Sequence, residues 1–237
     1  MTQQMDSDTA PGTAPDTDRT AAAADDAGWP AETMAGGILV GLTVVGAIFF
    51  RYHPGQIFLD RWGFSFVHPA LGNSLYRHVV QLKSLPYLVA GSILAALVVV
   101  GRDRLRALAC LVGPLAAVLV AEWFLKPVIA RRYAEVLTYP SGTTTAVAGV
   151  VTAWAVAVPR QIRAVVVVVG AFLVGLECIA VVGLQWHYPT DALAGAALGA
   201  GIVLLLDGLL HLLFARERGA TDAPDDAPDP SAPTASS

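Results

Sequence analysis

Six blocks of almost uninterrupted apolar residues limit what this chain can do with its backbone. They fall at Met34–Phe50, Leu85–Val100, Ala107–Leu125, Ser141–Val158, Ala164–Trp186 and Pro189–Phe214. Only 14% of all residues carry a charge, against about 25% in an ordinary soluble domain. Blocks of this length and polarity predict membrane spans. In hydrocarbon every backbone N–H and C=O must find a partner inside its own segment, so each block is expected to be an α-helix. The expected fold is all-α: a polytopic bundle of six transmembrane helices over residues 34–214.

The flanks have another character. Residues 1–33 and 215–237 are rich in Ala, Thr, Pro and Asp, and the first stretch carries seven acids against Arg19 alone. Segments like these bury too little apolar surface to offset the entropy of ordering, so both are expected to be disordered tails. They also explain the net charge of −4: 14 of the 15 Lys and Arg, but only eight of the 19 acids, lie between residues 34 and 218. No basic stretch precedes the first apolar block, so a cleaved leader is not expected. Cys110 and Cys178 sit inside apolar blocks and read as small core residues rather than a disulfide. The chain has no metal-ligand spacing, no glycine-rich nucleotide motif and no basic–aromatic stripe. No metal, no cofactor and no nucleic-acid partner is therefore expected.

The connections alternate. "GRDRLR" (101–106), "PRQIR" (159–163) and "ARERG" (215–219) are arginine-rich, which predicts a cytoplasmic side that also holds both termini. The long loop 51–84, the stretch 126–140 and residues 187–188 then face outward, with Trp62, Trp123 and Trp186 near that boundary. Within the loop, "PALGNSLYRHVVQLKS" (69–84) places Leu71, Leu75, Val79 and Leu82 on one helical face. That pattern suits an interfacial helix or an ordinary packed loop helix.

Three polar stretches meet on the outward side. Lys126, Arg131 and Arg132 put three cations within seven residues, as anion ligands or as interface anchors. "YPSG" opens the fourth block. Pro140, Ser141 and Gly142 leave free N–H groups at a helix start, either as an anion cradle or as a plain N-cap. "HYPTD" opens the last block. Asp191 can accept the Nδ1 proton of His187 and leave Nε2 as nucleophile or base; otherwise Asp191 caps the helix and His187 lies at the interface.

Taken together and in this order, these stretches resemble the type 2 phosphatidic acid phosphatase superfamily, which includes the vanadium haloperoxidases. The matching residues are Lys126 with Arg131 or Arg132, "PSG" 140–142 and "HYPTD" 187–191, and the resemblance spans about residues 84–214. It implies a metal-independent lipid phosphatase with a phosphohistidine intermediate. His187 would be the nucleophile and Asp191 its orienting acid. Lys126, Arg131 and Arg132 would clamp the phosphate, with Ser141, Gly142 and Thr143 lining it. The implied substrate is a membrane lipid phosphate, a polyprenyl diphosphate being the preferred guess. The alternative is a weak or inactive relative that binds or moves lipid phosphates.

The match has gaps. Thr143 stands where the family has a histidine that protonates the leaving oxygen. Ala180 and Val181 replace its Ser-Arg pair, and Tyr133 and Ala134 its Arg-Pro pair. His53, His68 and His78 in the long loop are candidate surrogate acids. Glu122, four residues before Lys126, is placed to pair with it. Glu177 is expected about 15 Å deeper than His187, paired with another helix or a water. Asp207 has no evident role.

Overall fold

A computed structural model describes residues 29–67 and 72–221. The disorder expected at the far ends of both tails, and the candidate acid His68, lie outside the described residues. The described residues are mostly helical. The helices are α1 (Trp29–Tyr52), α2 (Phe58–Phe66), α3 (Gly72–Val79), α4 (Leu85–Val99), α5 (Arg104–Leu119), the short α6 (Lys126–Ile129), α7 (Gly142–Ala157), α8 (Arg160–Gly183) and α9 (Pro189–Thr221). Strands β1 (Arg132–Tyr133) and β2 (Val136–Leu137) form a two-residue antiparallel hairpin between α6 and α7.

A helix stands at each of the six apolar blocks, but they differ in reach. Among the described residues, four segments are long and apolar enough to cross a membrane: Pro30–Tyr52, Arg104–Ile129, Arg160–Gly183 and Pro189–Phe214. A fifth is obtained only if α4 is joined to the bent segment Ser74–Lys83 before it, across a 51° break, and α7 is an apolar helix of only 16 residues. The end helices also overrun the expected tails: α1 starts at Trp29 and α9 runs to Thr221. Large apolar side chains cover the outside, with Val168 69%, Phe172 64% and Leu97 63% exposed. Such a surface suits lipid tails, not water.

Helix α9 packs against α1, α5 and α7, and small residues make the approach possible. A Cβ on Gly199 would run into the Thr145 carbonyl oxygen and the Gly149 amide, and one on Gly195 into the Ser141 carbonyl oxygen. Gly36 of α1 and Gly201 of α9 face each other in the same way. Close backbone approach through small residues is how helices associate where the surrounding lipid is as apolar as the side chains. It also brings the starts of α7 and α9 side by side: the Ser141 amide donates to the Asp191 carbonyl at 2.9 Å.

The opposite, arginine-rich end is held by ions. Arg106 reaches Asp207 at 3.3 Å and Glu32 at 3.6 Å, and Arg163 reaches Glu32 at 3.1 Å. His211 Nε2 lies 2.8 Å from Asp103. This network gives Asp207 its role, as a buried partner for Arg106 between α5 and α9. Asp103 caps α5 at the Arg106 amide. Burial pushes its carboxyl up, but the bonds from His211 and the Arg106 amide win and hold it at about 2.

Within the 69–84 stretch, Gly72–Val79 is a helix followed by a 3₁₀ turn, Val80–Lys83, while Leu71 lies outside the described residues. Its buried face is Tyr76 and Val80, packed on Ala180, Val181 and Val182 of α8. Of the residues expected on the apolar face, Val79 packs against this cluster, but Leu75 and Leu82 are exposed. Tyr76 seats where Gly183 has no side chain, and that fit overrides the leucine pattern.

Candidate functional site

The π-helical turn Val120–Leu125 carries α5 into Lys126. Such turns are rare and recur at functional positions. Lys126 Nζ lies 2.7 Å from Glu122 Oε1, so the expected pair is present. The Glu122 carboxylate in turn lies over Gly142, the first residue of α7, where a Cβ would collide with it. A carboxylate, a lysine and a helix N-terminus thus share one spot.

His187 sits in the turn between α8 and α9 and is buried. Its Nδ1 lies 3.0 Å from the Thr138 carbonyl oxygen. A carbonyl can only accept, so Nδ1 carries the proton and Nε2 keeps its lone pair. Burial, then the charge of Lys126, then that of Lys83, outweigh this bond and lower the imidazole from its ordinary 6.5 to about 3. The ring is a neutral base at physiological pH. Nδ1 is held, but by the Thr138 carbonyl and not by the carboxylate expected from the sequence.

Asp191 is not that partner. Its Oδ1 accepts from Arg131 and its Oδ2 from the Tyr188 amide at 3.1 Å. It caps α9 and neutralises an arginine. Its tie to His187 runs through Thr138, whose carbonyl holds the imidazole while its hydroxyl interacts with the Asp191 carboxylate.

Arg131 departs furthest from expectation. It is fully buried, between the rings of Phe50 (3.7 Å) and Tyr188 (4.2 Å). Its Nε donates to the Pro54 carbonyl at 3.3 Å, and its terminal nitrogens to Gly55 O at 3.2 Å, Asp60 Oδ2 at 2.7 Å, Thr190 Oγ1 at 2.8 Å and Asp191 Oδ1. A guanidinium has five N–H donors, and all five are engaged. Two buried carboxylates hold Arg131 as a strut between the 51–60 loop and α9, with nothing left for a phosphate. Arg132 is exposed on β1 and donates to the Glu135 carbonyl at 3.1 Å. Its described bond keeps it within the hairpin.

Ser141 is the N-cap of α7: its Oγ accepts from the Thr144 amide at 3.4 Å and the Thr144 hydroxyl at 3.2 Å. Its oxygen serves the helix. Thr143 is buried and accepts from Lys83 Nζ at 3.3 Å. Lys83 also lies 4.9 Å from the ring centre of Trp186, the neighbour of His187. Of the expected site residues, Lys126, Gly142, Thr143 and His187 are therefore linked around one spot. Arg131, Asp191 and Ser141 support it from behind, and Arg132 stands apart.

Two residues were missed in the sequence. Asp60 is fully buried and ties Arg131 to Thr190, accepting from the Thr190 hydroxyl at 2.6 Å and amide at 3.1 Å. Lys83, one of only two lysines in the chain, reaches the site from the 3₁₀ turn. Its rarity was the available signal. Of the loop histidines among the described residues, His53 Nδ1 lies 3.2 Å from the Phe49 carbonyl oxygen and His78 Nδ1 2.7 Å from that of Ser74, so each has a partner four residues back along its own segment. No group of metal-ligating side chains occurs among the described residues.

Below the site, a groove of about 700 Å³ runs between α7, α8 and α9 from Cys178 and Leu193 down to Arg163 and Glu32. Its walls are almost entirely apolar. The two cysteines are free thiols on different helices.

These features define a helical protein with several helices apolar enough to cross a membrane and a polar, lysine-flanked histidine at one end. The chain matches no family model, no curated protein and no solved structure.

Proposed function

We propose that this protein is an integral-membrane lipid phosphatase that uses His187 as nucleophile. It resembles a divergent type 2 phosphatidic acid phosphatase. The observation that carries the reading is the neutral His187 imidazole, pinned by Nδ1 to Thr138 and acted on by two lysines, beside the N-terminus of α7. Nε2 attacks phosphorus, the lipid leaves with its oxygen, and water then releases phosphate from the histidine. Such a transfer needs mainly positioning and charge neutralisation. The phosphate displaces the Glu122 carboxylate from Lys126 and the α7 N-terminus.

In this reading six segments span the bilayer, the bent α3–α4 unit and α7 included. The site faces the outer side of the cell membrane and both termini face the cytoplasm. The groove below takes the apolar chain of the substrate. Thr143 cannot act as an acid, which favours a leaving group that departs without a proton. A lipid phosphate leaving from a diphosphate has a second pKa near ~6, far below that of an alcohol. The preferred substrate is therefore a lipid diphosphate such as a polyprenyl diphosphate.

The test is phosphate release by the purified protein in detergent from matched prenyl monophosphate and diphosphate. Turnover with a higher kcat/KM on the diphosphate is expected, as is its loss in His187→Ala with the fold intact. Full activity in that variant would end the phosphohistidine reading. A second reading, a relative that binds lipid phosphates without turning them over, draws on Arg131 being fully engaged. Tight diphosphate binding without phosphate release would select it.

A further inference from the structure

Lys83 is a charged group near His187 that no motif accounts for. Three observations place it. Its Nζ is bonded to the Thr143 hydroxyl at 3.3 Å, lies 4.9 Å from the ring centre of Trp186, and acts electrostatically on His187 together with Lys126. Lys126 comes from the other side, tied to Glu122 over Gly142. Two ammonium groups on separate elements thus address one imidazole.

Beneath Lys83 lies an unexplained carboxyl. Glu177 on α8 is fully buried, and neither of its oxygens has a hydrogen-bond partner. The cation that acts on it is Lys83. The 3₁₀ turn that carries Lys83 packs on α8, with Val80 in one buried cluster with Ala180, Val181 and Val182. An unpartnered buried acid is costly, so its presence calls for a role.

We propose that Lys83 is the specificity-determining cation of this site, receiving the inner phosphoryl of a lipid diphosphate while Lys126 receives the outer one, with Glu177 as the positioning residue that holds Lys83 in place. The inference rests on the phosphatase reading and deepens it. His187 Nε2 forms a bond to the outer phosphorus, and the bond from that phosphorus to the bridging oxygen breaks. Its electron pair stays on the departing lipid monophosphate, whose new negative charge develops beside Lys83. Water then cleaves the phosphohistidine, gives inorganic phosphate and restores the neutral imidazole. A departing phosphate needs a countercharge rather than a proton. Thr143 offers no proton, but it is bonded to the ammonium that supplies the charge.

The experiment measures equilibrium binding of inorganic pyrophosphate and inorganic phosphate to the full-length protein in detergent, with kcat/KM on matched prenyl diphosphate and monophosphate. The variants are Lys83→Gln, Lys83→Arg, Lys126→Gln and Glu177→Gln. Loss of one charged hydrogen bond predicts a roughly 10- to 100-fold drop for Lys83→Gln on the diphosphate ligands. The monophosphate ligands should change little, and Lys83→Arg should restore most of the difference. Lys126→Gln should weaken both classes. Glu177→Gln should move the diphosphate preference in the same direction as Lys83→Gln, by less, with no loss of thermal stability. An unchanged diphosphate-to-monophosphate ratio in Lys83→Gln would overturn the proposal while leaving the phosphatase reading standing. If the native protein neither binds nor cleaves any of these ligands, the phosphate-site reading falls and this inference falls with it.

Discussion

Arg131 and His187 were expected to share a phosphate, and they ended in different trades. Arg131 is encased by Asp60, Asp191 and two aromatic rings. Removing it would leave two buried carboxylates unpaired, which typically costs about 3–5 kcal/mol. Arg131→Ala should therefore appear as a large fall in melting temperature in detergent. Unchanged melting with lost phosphate affinity would show that the guanidinium serves a ligand after all. For His187 the sign of the pH effect follows from its lowered pKa of about 3. Between pH 6.5, where the unfolded side chain protonates, and about 3, the folded ring stays neutral while the unfolded one is charged. Stability from this group is thus present above 6.5 and declines as pH falls through that window. The nucleophile, by the same token, stays unprotonated. The acid limb of the pH–rate profile should not show a group near 6.5 belonging to His187, and a histidine NMR titration reads the same value directly.

At the scale of elements, the site exists because α7 and α9 touch through glycine. Gly195 and Gly199 let the starts of both helices meet, so Ser141 can cap one while its amide bonds the carbonyl of Asp191 on the other. The groove between α7, α8 and α9 is the looser part of the same arrangement. Gly175 lines it, and a Cβ there meets nothing within 4 Å. Gly175→Leu should fill the groove without disturbing the packing. If the lipid chain lies there, displacing two methylenes at about 0.8 kcal/mol each predicts a roughly tenfold loss of kcat/KM. That loss should appear on a long-chain substrate and be absent on a short-chain one. Equal losses on both would place the chain elsewhere.

For the whole molecule, the two ends differ in kind. One is a closed ion network around Arg106, Glu32 and Asp207. The other is a cluster with a neutral histidine and two lysines. The proposed orientation puts the second end outside. Cysteine substitution at Gln56 and, separately, at Gln161, both exposed positions, tests it with a membrane-impermeant thiol reagent. Gln56→Cys should label in intact cells and Gln161→Cys should not; the reverse pattern would invert the topology.

The positions of all the long helices were legible in the sequence, because a backbone inside a long apolar block has no partner except itself. Lys126, Gly142 and His187 were legible as well, since their order along the chain is a local pattern. What the sequence did not contain was the choice among partners. Asp191 is four residues from His187, the spacing of one helical turn, yet Arg131, some 60 residues away, takes the carboxylate. The imidazole turns instead to the carbonyl of Thr138. Lys83 and Asp60 reach the site from a loop that the motifs do not touch. Each of these outcomes is a competition between charges brought together by folding. A buried carboxylate is stabilised more by a fully hydrogen-bonded guanidinium than by a neutral ring, and only the tertiary structure determines which guanidinium is within reach.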